Sequence, residues 1–470
     1  MINRPIITKM SVPVATPLDW NPIRLEQGLP RLRSLPSRLG QICVIALIFI
    51  SVTAPPLVIS GNLPYVKAEQ LLLPVIFLLY TWFLLAGYAR PIRFNGMFIV
   101  GILCCCSITI SMWYGSSILG HTVLIRDFYE LPKVWLPVIF FTVTYEAELS
   151  ESSLRRLLDF FAVAVLLVCF YAWAQFFNLG IKDYLDAHYS GGKHIDDSLE
   201  YARRVYSTMG NPNVLGQLMT WSIIAYTMAA IFRAGKRWRN VTVALACLIT
   251  LGMTGSRYGL ITTTLGLILI FAMPSFSRRR RMGQLGLLLI LLPVFVWIFA
   301  AVASSNQRTL ERFESLRHPL QVDSLRDRLD NLWRDALSDF ARSPIVGHGP
   351  AKTLYTGVVT DSEYLDALKE YGIVGFLTFI AYYLFPGFLL WKGLRASRRV
   401  APWLEACAPA TFMTLCLCFV MVITALVMAF GESTFHNQLL QGFFWMWMGI
   451  GARSAKKVAD ASRAGHSFPV

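Results

Sequence analysis

The 470-residue chain is 55% hydrophobic and only 15% charged, with a net charge of +15 and a mean hydropathy of +0.52. Soluble domains carry about 25% charged residues, so this composition excludes an ordinary soluble globule and points to an integral membrane protein. The basic residues are scattered over short turns between apolar runs, which excludes nucleic-acid binding as the meaning of the charge and fits attraction to anionic lipid.

Residues 1–40 are basic and Pro-rich and hold no apolar core, so they read as a cytoplasmic tail and not as a signal peptide. A membrane helix needs roughly 20 apolar residues. Twelve candidates follow, at 41–60, 68–88, 94–114, 131–145, 155–178, 214–233, 240–255, 258–273, 284–303, 364–391, 404–430 and 434–451. Thr254-Gly255-Ser256-Arg257 puts a charge between two of them; a charge in mid-span is costly, so a tight turn joining two spans is expected there. The nine cysteines all fall inside these spans and read as small buried apolar residues. None has zinc-type spacing with histidine, and no Gly-Lys-Ser/Thr phosphate loop is present, so no metal and no cofactor is expected. The fold class is all-α: a polytopic helix bundle with nine spans over 41–303, a polar loop at 304–363, three spans over 364–451 and a tail at 452–470.

The positive-inside rule orients the bundle. With the N-terminus in the cytoplasm, the segments 1–40, 89–93, 146–156, 233–240, 274–283, 392–403 and 452–470 carry 26 of the 43 Lys and Arg. The opposite face carries 20 of the 28 Asp and Glu. Segments 115–130, 179–213, 255–257 and 304–363 therefore face the exterior, the periplasm in a bacterium, out of reach of cytoplasmic nucleotide donors.

The long polar segment 304–363 is the anomaly among the spans. Ser324 with Asp327 reads as a helix start, and Leu325, Leu329, Leu332, Trp333, Ala336, Leu337 and Phe340 recur at helical spacing. Pro344 ends that surface helix, and Gly347-His348-Gly349-Pro350 makes a sharp turn. Asp361-Ser362-Glu363 opens the next span, where carboxylates favour a helix N-terminus. Arg326, Arg328 and Arg334 fit equally a solvated helix face, Asp361 and Glu363 plain capping groups, and His348 an exposed turn residue.

Two further clusters share the exterior face. Arg203 and Arg204 precede Gly210-Asn211-Pro212-Asn213, which opens a span; arginine binds phosphate in a bidentate manner and a helix start adds backbone N–H donors. Arg257 stands at the lip of two other spans, where snorkelling is the alternative reading. Arginines on separate loops of one face suit a diphosphate headgroup. Arg126, Asp127, Glu130 and Lys133 are weaker additions to it.

These motifs together resemble the O-antigen ligase and O-antigen/exopolysaccharide polymerase superfamily: Arg204 to Asn213, Thr254 to Arg257, Arg326 with Trp333, Pro344-x-x-Gly347-x-Gly349, and Tyr364-Leu365 followed by Gly372 and Gly375. The resemblance implies a GT-C-type inner-membrane glycosyltransferase that takes glycan from undecaprenyl diphosphate on the periplasmic side without metal or nucleotide sugar. A polymerase passes the chain to the next lipid-linked repeat unit; a ligase passes it to lipid A-core. Arg204 and Arg257 match the family's diphosphate-binding arginines, with Arg203 and Arg326 beside them, and Asn211, Asn213 and Tyr364 belong to the same motifs. Ligases carry a His-Asn pair where this chain has Asp361-Ser362, which favours a polymerase.

The expected chemistry is an inverting displacement in which Arg204 and Arg257 neutralise the departing diphosphate. Asp361 or Glu363, with His348 as a substitute, accepts the acceptor's hydroxyl proton. The expected partners are the lipid-linked donor, a glycan acceptor, membrane lipid and a chain-length regulator. A transporter is disfavoured because the charges sit at loops and the halves show no symmetry. A sensor or scaffold would not need arginines on three separate loops.

Overall fold

The computed structural model describes residues 34–55, 57, 66–86, 95–189, 204–273, 286, 293, 326, 328–350, 360–432 and 438–464. Arg203, the span at 284–303 apart from two isolated positions, most of the polar segment before Arg328, and both chain ends lie outside these residues. The described chain is helical, apart from one isolated bridge between Leu57 and Val66.

The helices are α1 (Ser34–Thr53), α2 (Ala68–Leu85), α3 (Gly96–Ser117), α4 (Glu130–Glu146), α5 (Glu151–Phe176), the short α6 (Lys182–Tyr189), α7 (Pro212–Phe232), α8 (Arg237–Thr254), α9 (Arg257–Ala272), α10 (Trp333–Arg342), α11 (Glu363–Cys407), α12 (Pro409–Met428) and α13 (Gln438–Arg463). Short polar side chains start several of them. The side-chain oxygens of Asn95, Ser150, Asn211 and Ser256 accept N–H groups of the first turns of α3, α5, α7 and α9, each cap contributing about 1 kcal/mol. Among the described residues, α3, α5, α7, α12 and the Glu363–Ala401 part of α11 are long and apolar enough to cross a membrane. Arg38–Thr53, Ala68–Trp82 and Arg257–Phe271 are shorter apolar stretches.

Helix α7 is buried almost all round, packed by α8, α9 and α12. It is apolar on every face, as a helix at the centre of a bundle must be. Helix α13 packs on α4 and α11, and α3 packs on α11. The outer helices expose large apolar side chains, among them Ile99, Leu103, Ile110 and Trp113 of α3 and Leu377, Leu384 and Phe388 of α11, a surface suited to lipid. Polar contacts tie the helix ends. At one end, Glu151 of α5 accepts the amides of Ala410 (2.8 Å) and Thr411 (3.0 Å) and so caps α12, while Asp159 pairs with Arg239 and Glu148 with Arg453. The arginine loops cluster at the other end.

The turn at Thr254–Arg257 is as the sequence predicts: α8 stops at Thr254, Gly255 takes a left-handed φ of 60°, and Ser256 caps α9. Two differences stand out. The segment 392–403, read as a connection, continues α11 as helix to Cys407; Lys392 and Arg395 lie over the rings of Phe388 and Trp391 on the same helix, so basic side chains here sit on helix and not in a turn. The span opening at Tyr364 is also not continuous, because α11 breaks at Gly372 (φ 62°, ψ −169°). The break frees two carbonyls and two amides, and the 344–349 turn takes up all four. His348 and Gly349 donate to the carbonyls of Lys369 (3.1 Å) and Glu370 (2.7 Å), while Ile373 and Val374 donate to those of Pro344 (2.9 Å) and Ile345 (3.2 Å). Backbone polar groups in an apolar setting must be satisfied by protein, so the glycine turn and the broken helix form one unit.

Candidate functional site

The site is built where α7, α8, α9, α11 and α12 end together. The C-terminal carbonyl of α8, on Thr254, accepts Arg204 Nε at 2.8 Å. Arg204 Nη2 donates to Asn213 Oδ1 at 2.6 Å, and Asn213 Nδ2 donates to Glu432 Oε1 at 2.5 Å. A guanidinium only donates and a carboxylate only accepts, so these two partners fix which end of the Asn213 amide is oxygen. Glu432 stands in the turn after α12, half-buried. Burial raises its carboxyl to about 7; Arg328 and Arg204 oppose that rise and Asp361 adds to it.

Arg328 reaches the same place from the polar segment. It donates to Asp361 Oδ2 through Nη2 (2.9 Å) and Nε (3.2 Å). Its guanidinium also lies 5.9 Å from the centre of the Tyr258 ring, within cation–π range. Tyr258 in turn presses on Gly431, where a β carbon would fall 1.8 Å from the phenol; only glycine leaves room for the ring beside Glu432. Trp333 Nε1 donates to the Thr360 carbonyl at 3.1 Å, a second fastening of the surface helix to the start of α11. The start of α11 is docked on the end of α12 by Glu363 N to the Ala429 carbonyl (3.0 Å) and Tyr364 OH to the Leu426 carbonyl (2.7 Å).

The residues singled out in the sequence fall into distinct places. Arg204, Asn213 and Asp361 join the cluster, and Asn211 supports it by capping α7 through Asn213 N (2.7 Å). Arg257 is half-buried at the first position of α9, beside Tyr258. Glu363 is fully buried and Tyr364 packs against Phe430 at 4.6 Å between ring centres. Arg326 is largely exposed, 73% for its side chain, and its ion pair is with Asp330; Arg328 is the arginine of that helix that turns inward.

His348 belongs to the glycine turn. Its Nε2 contacts the Asp339 carbonyl at 2.8 Å, and its Nδ1 lies 3.3 Å from His121 Nε2. Burial and His348 both push the His121 pKa down. Asp127 accepts Leu124 N, while Glu130 pairs with Lys133 and reaches Tyr371, away from the arginine cluster. Sequence reasoning missed Glu432 and Tyr258. An acidic residue beside a glycine between two apolar runs was the available signal for Glu432.

Comparison with known families bears directly on this arrangement. Residues 242–380 match the family model described as O-antigen ligase. The match supports the O-antigen ligase/polymerase superfamily. It covers Arg257, Tyr258, Arg328, His348, Asp361, Glu363 and Tyr364, while Arg204, Asn211, Asn213 and Glu432 lie outside the matched segment. No curated protein matches the chain. That segment is thus similar to the O-antigen ligase family, and the helices around it include several long and apolar enough to cross a membrane.

Proposed function

We propose that the chain is a GT-C-type inner-membrane glycosyltransferase of about twelve spans. Its active site faces the periplasm, and it polymerises undecaprenyl-diphosphate-linked repeat units into O-antigen or exopolysaccharide. The observation that carries this reading is the convergence of Arg204 and Arg328 on Asn213, Asp361 and Glu432 at one end of the bundle. In the displacement, the acceptor hydroxyl attacks the anomeric carbon and the diphosphate departs. That leaving group carries its own charge, so catalysis rests on fixed positive groups that meet the developing anion. Arg204, Arg257 and Arg328, with the N–H groups at the starts of α7 and α9, supply them. The orientation that faces them outward follows from the Lys and Arg bias of the opposite turns.

Polymerase is favoured over ligase because Asp361-Ser362 stands where ligases carry His-Asn, and because the His348 ring is engaged by the Asp339 carbonyl of α10. The description of the matching family favours the second reading, transfer of a finished glycan to lipid A-core. A deletion strain separates the two. Loss of all long glycan, free and attached, is the polymerase result; accumulation of lipid-linked polymer is the ligase result.

A further inference from the structure

Three carboxylates lie near the arginines, and they are not equivalent. Glu363 is fully buried, in the first turn of α11, where an acceptor sugar does not reach it. Asp361 is accessible, but two N–H groups of Arg328 converge on its Oδ2 and occupy that oxygen. Glu432 is half-buried, is held through Oε1 alone by a neutral amide, and among the described residues its Oε2 has no hydrogen-bond partner. It is also the carboxylate joined to Arg204 through a single side chain, Asn213.

We infer that Glu432 is the group that takes the proton from the acceptor hydroxyl, with Asn213 holding it in register with the donor-binding Arg204. The inference rests on the transferase reading of the same cluster. Glu432 Oε2 accepts the hydroxyl proton as the acceptor oxygen forms its bond to the anomeric carbon. The bond from that carbon to the diphosphate oxygen breaks, its electron pair leaving with undecaprenyl diphosphate beside Arg204 and Arg328. Glu432 is left as the neutral acid and returns its proton to water. The Asn213 amide donates to Oε1 in both states, so the side chain keeps its position through the cycle. Burial places the carboxyl near 7, where a base is both ionised and strong enough to act. The charged and titratable groups that face it are Arg204, Arg328, Asp361 and Tyr258.

The test uses the full chain in proteoliposomes, with lipid-linked repeat units extracted from a strain lacking it, and follows undecaprenyl diphosphate release against pH. Glu432→Gln keeps the hydrogen bond from Asn213. It is expected to bind undecaprenyl diphosphate within threefold of the wild type while turnover falls roughly 10²- to 10⁴-fold, the range of general-base catalysis. The acid limb of the pH profile, centred near 7 in the wild type, persists in Asp361→Asn. Glu432→Asp retains that limb at reduced turnover, which keeps the test open if the glutamine variant folds poorly. Turnover of Glu432→Gln within threefold of the wild type, or loss of the acid limb in Asp361→Asn, overturns the assignment while leaving the transferase reading intact. Absence of any release by the wild type, with or without added lipid A-core, overturns the transferase reading itself.

Discussion

Replacing Gly372 by alanine should release the 343–349 turn. The backbone at Gly372, φ 62° and ψ −169°, belongs to a region that only glycine occupies readily, and a side chain there costs about 1–3 kcal/mol. A β carbon would also stand 2.4 Å from the Ile345 carbonyl oxygen and 2.6 Å from Gly347 N. The turn must move away, and doing so breaks the four hydrogen bonds that replace the α11 ladder, each with a net contribution of about 0.5–1.5 kcal/mol. A combined cost of about 3 kcal/mol is the conservative sum, which is roughly a 100-fold change in local opening at 1.4 kcal/mol per factor of ten. Hydrogen exchange by mass spectrometry on the detergent-solubilised protein reads this directly. Peptides covering His348 and Gly349 should exchange about 100-fold faster in Gly372→Ala, and trypsin should cut more readily after the exposed Arg342. Gly40→Ala is the control, since nothing lies within 4 Å of a β carbon there. Exchange of the 343–349 segment within threefold of the wild type would refute the view that the turn and the broken helix form one unit.

Other outcomes follow from the same contacts. Arg204→Ala should cut glycan polymerisation by roughly 10²-fold or more, in line with removal of a fixed charge from a developing anion. Arg204→Lys should rescue it poorly, because one ammonium does not reproduce the fork that reaches both Thr254 and Asn213; polymer length in cells at equal protein level is the measurement. Glu151→Ala removes the carboxylate that caps α12 and should destabilise the protein by about 1–3 kcal/mol, seen as a lower Tm with unchanged substrate binding. The His121 pKa is lowered in the folded chain, so the neutral ring is favoured. The contact with His348 is therefore fully stable above the ordinary histidine value of about 6.5 and weakens as pH falls through the lowered value. Exchange of the 343–349 amides, corrected for its intrinsic pH dependence, should rise on acidification, and His121→Leu should flatten that response.

The helix layout was legible because apolar runs and turn residues are local signals. Thr254-Gly255-Ser256-Arg257 announced a turn through one glycine and one charge, and the structure has it. Three features were hidden for physical reasons. The basic stretch 392–403 has the composition of a connection, yet its cations lie along Phe388 and Trp391 and leave the helix intact to Cys407. Gly347 and Gly349 marked a turn and Gly372 stood inside an apolar span; that they answer one another is a pairing of backbones from separate segments. Glu432 meets Asn213 across 219 positions of sequence, and no period or spacing in a single chain records such a contact. Arg326 and Arg328 are two residues apart on a helical segment and so face different ways. Only the docking of Trp333 and Thr360 decides that Arg328 turns inward.

The most direct test of the account is a reconstitution. The purified chain in proteoliposomes, supplied only with undecaprenyl-diphosphate-linked repeat units from a strain that lacks it, should release undecaprenyl diphosphate as glycan chains lengthen on the remaining lipid. No lengthening, with release of undecaprenyl diphosphate only once lipid A-core is added, would contradict the polymerase assignment.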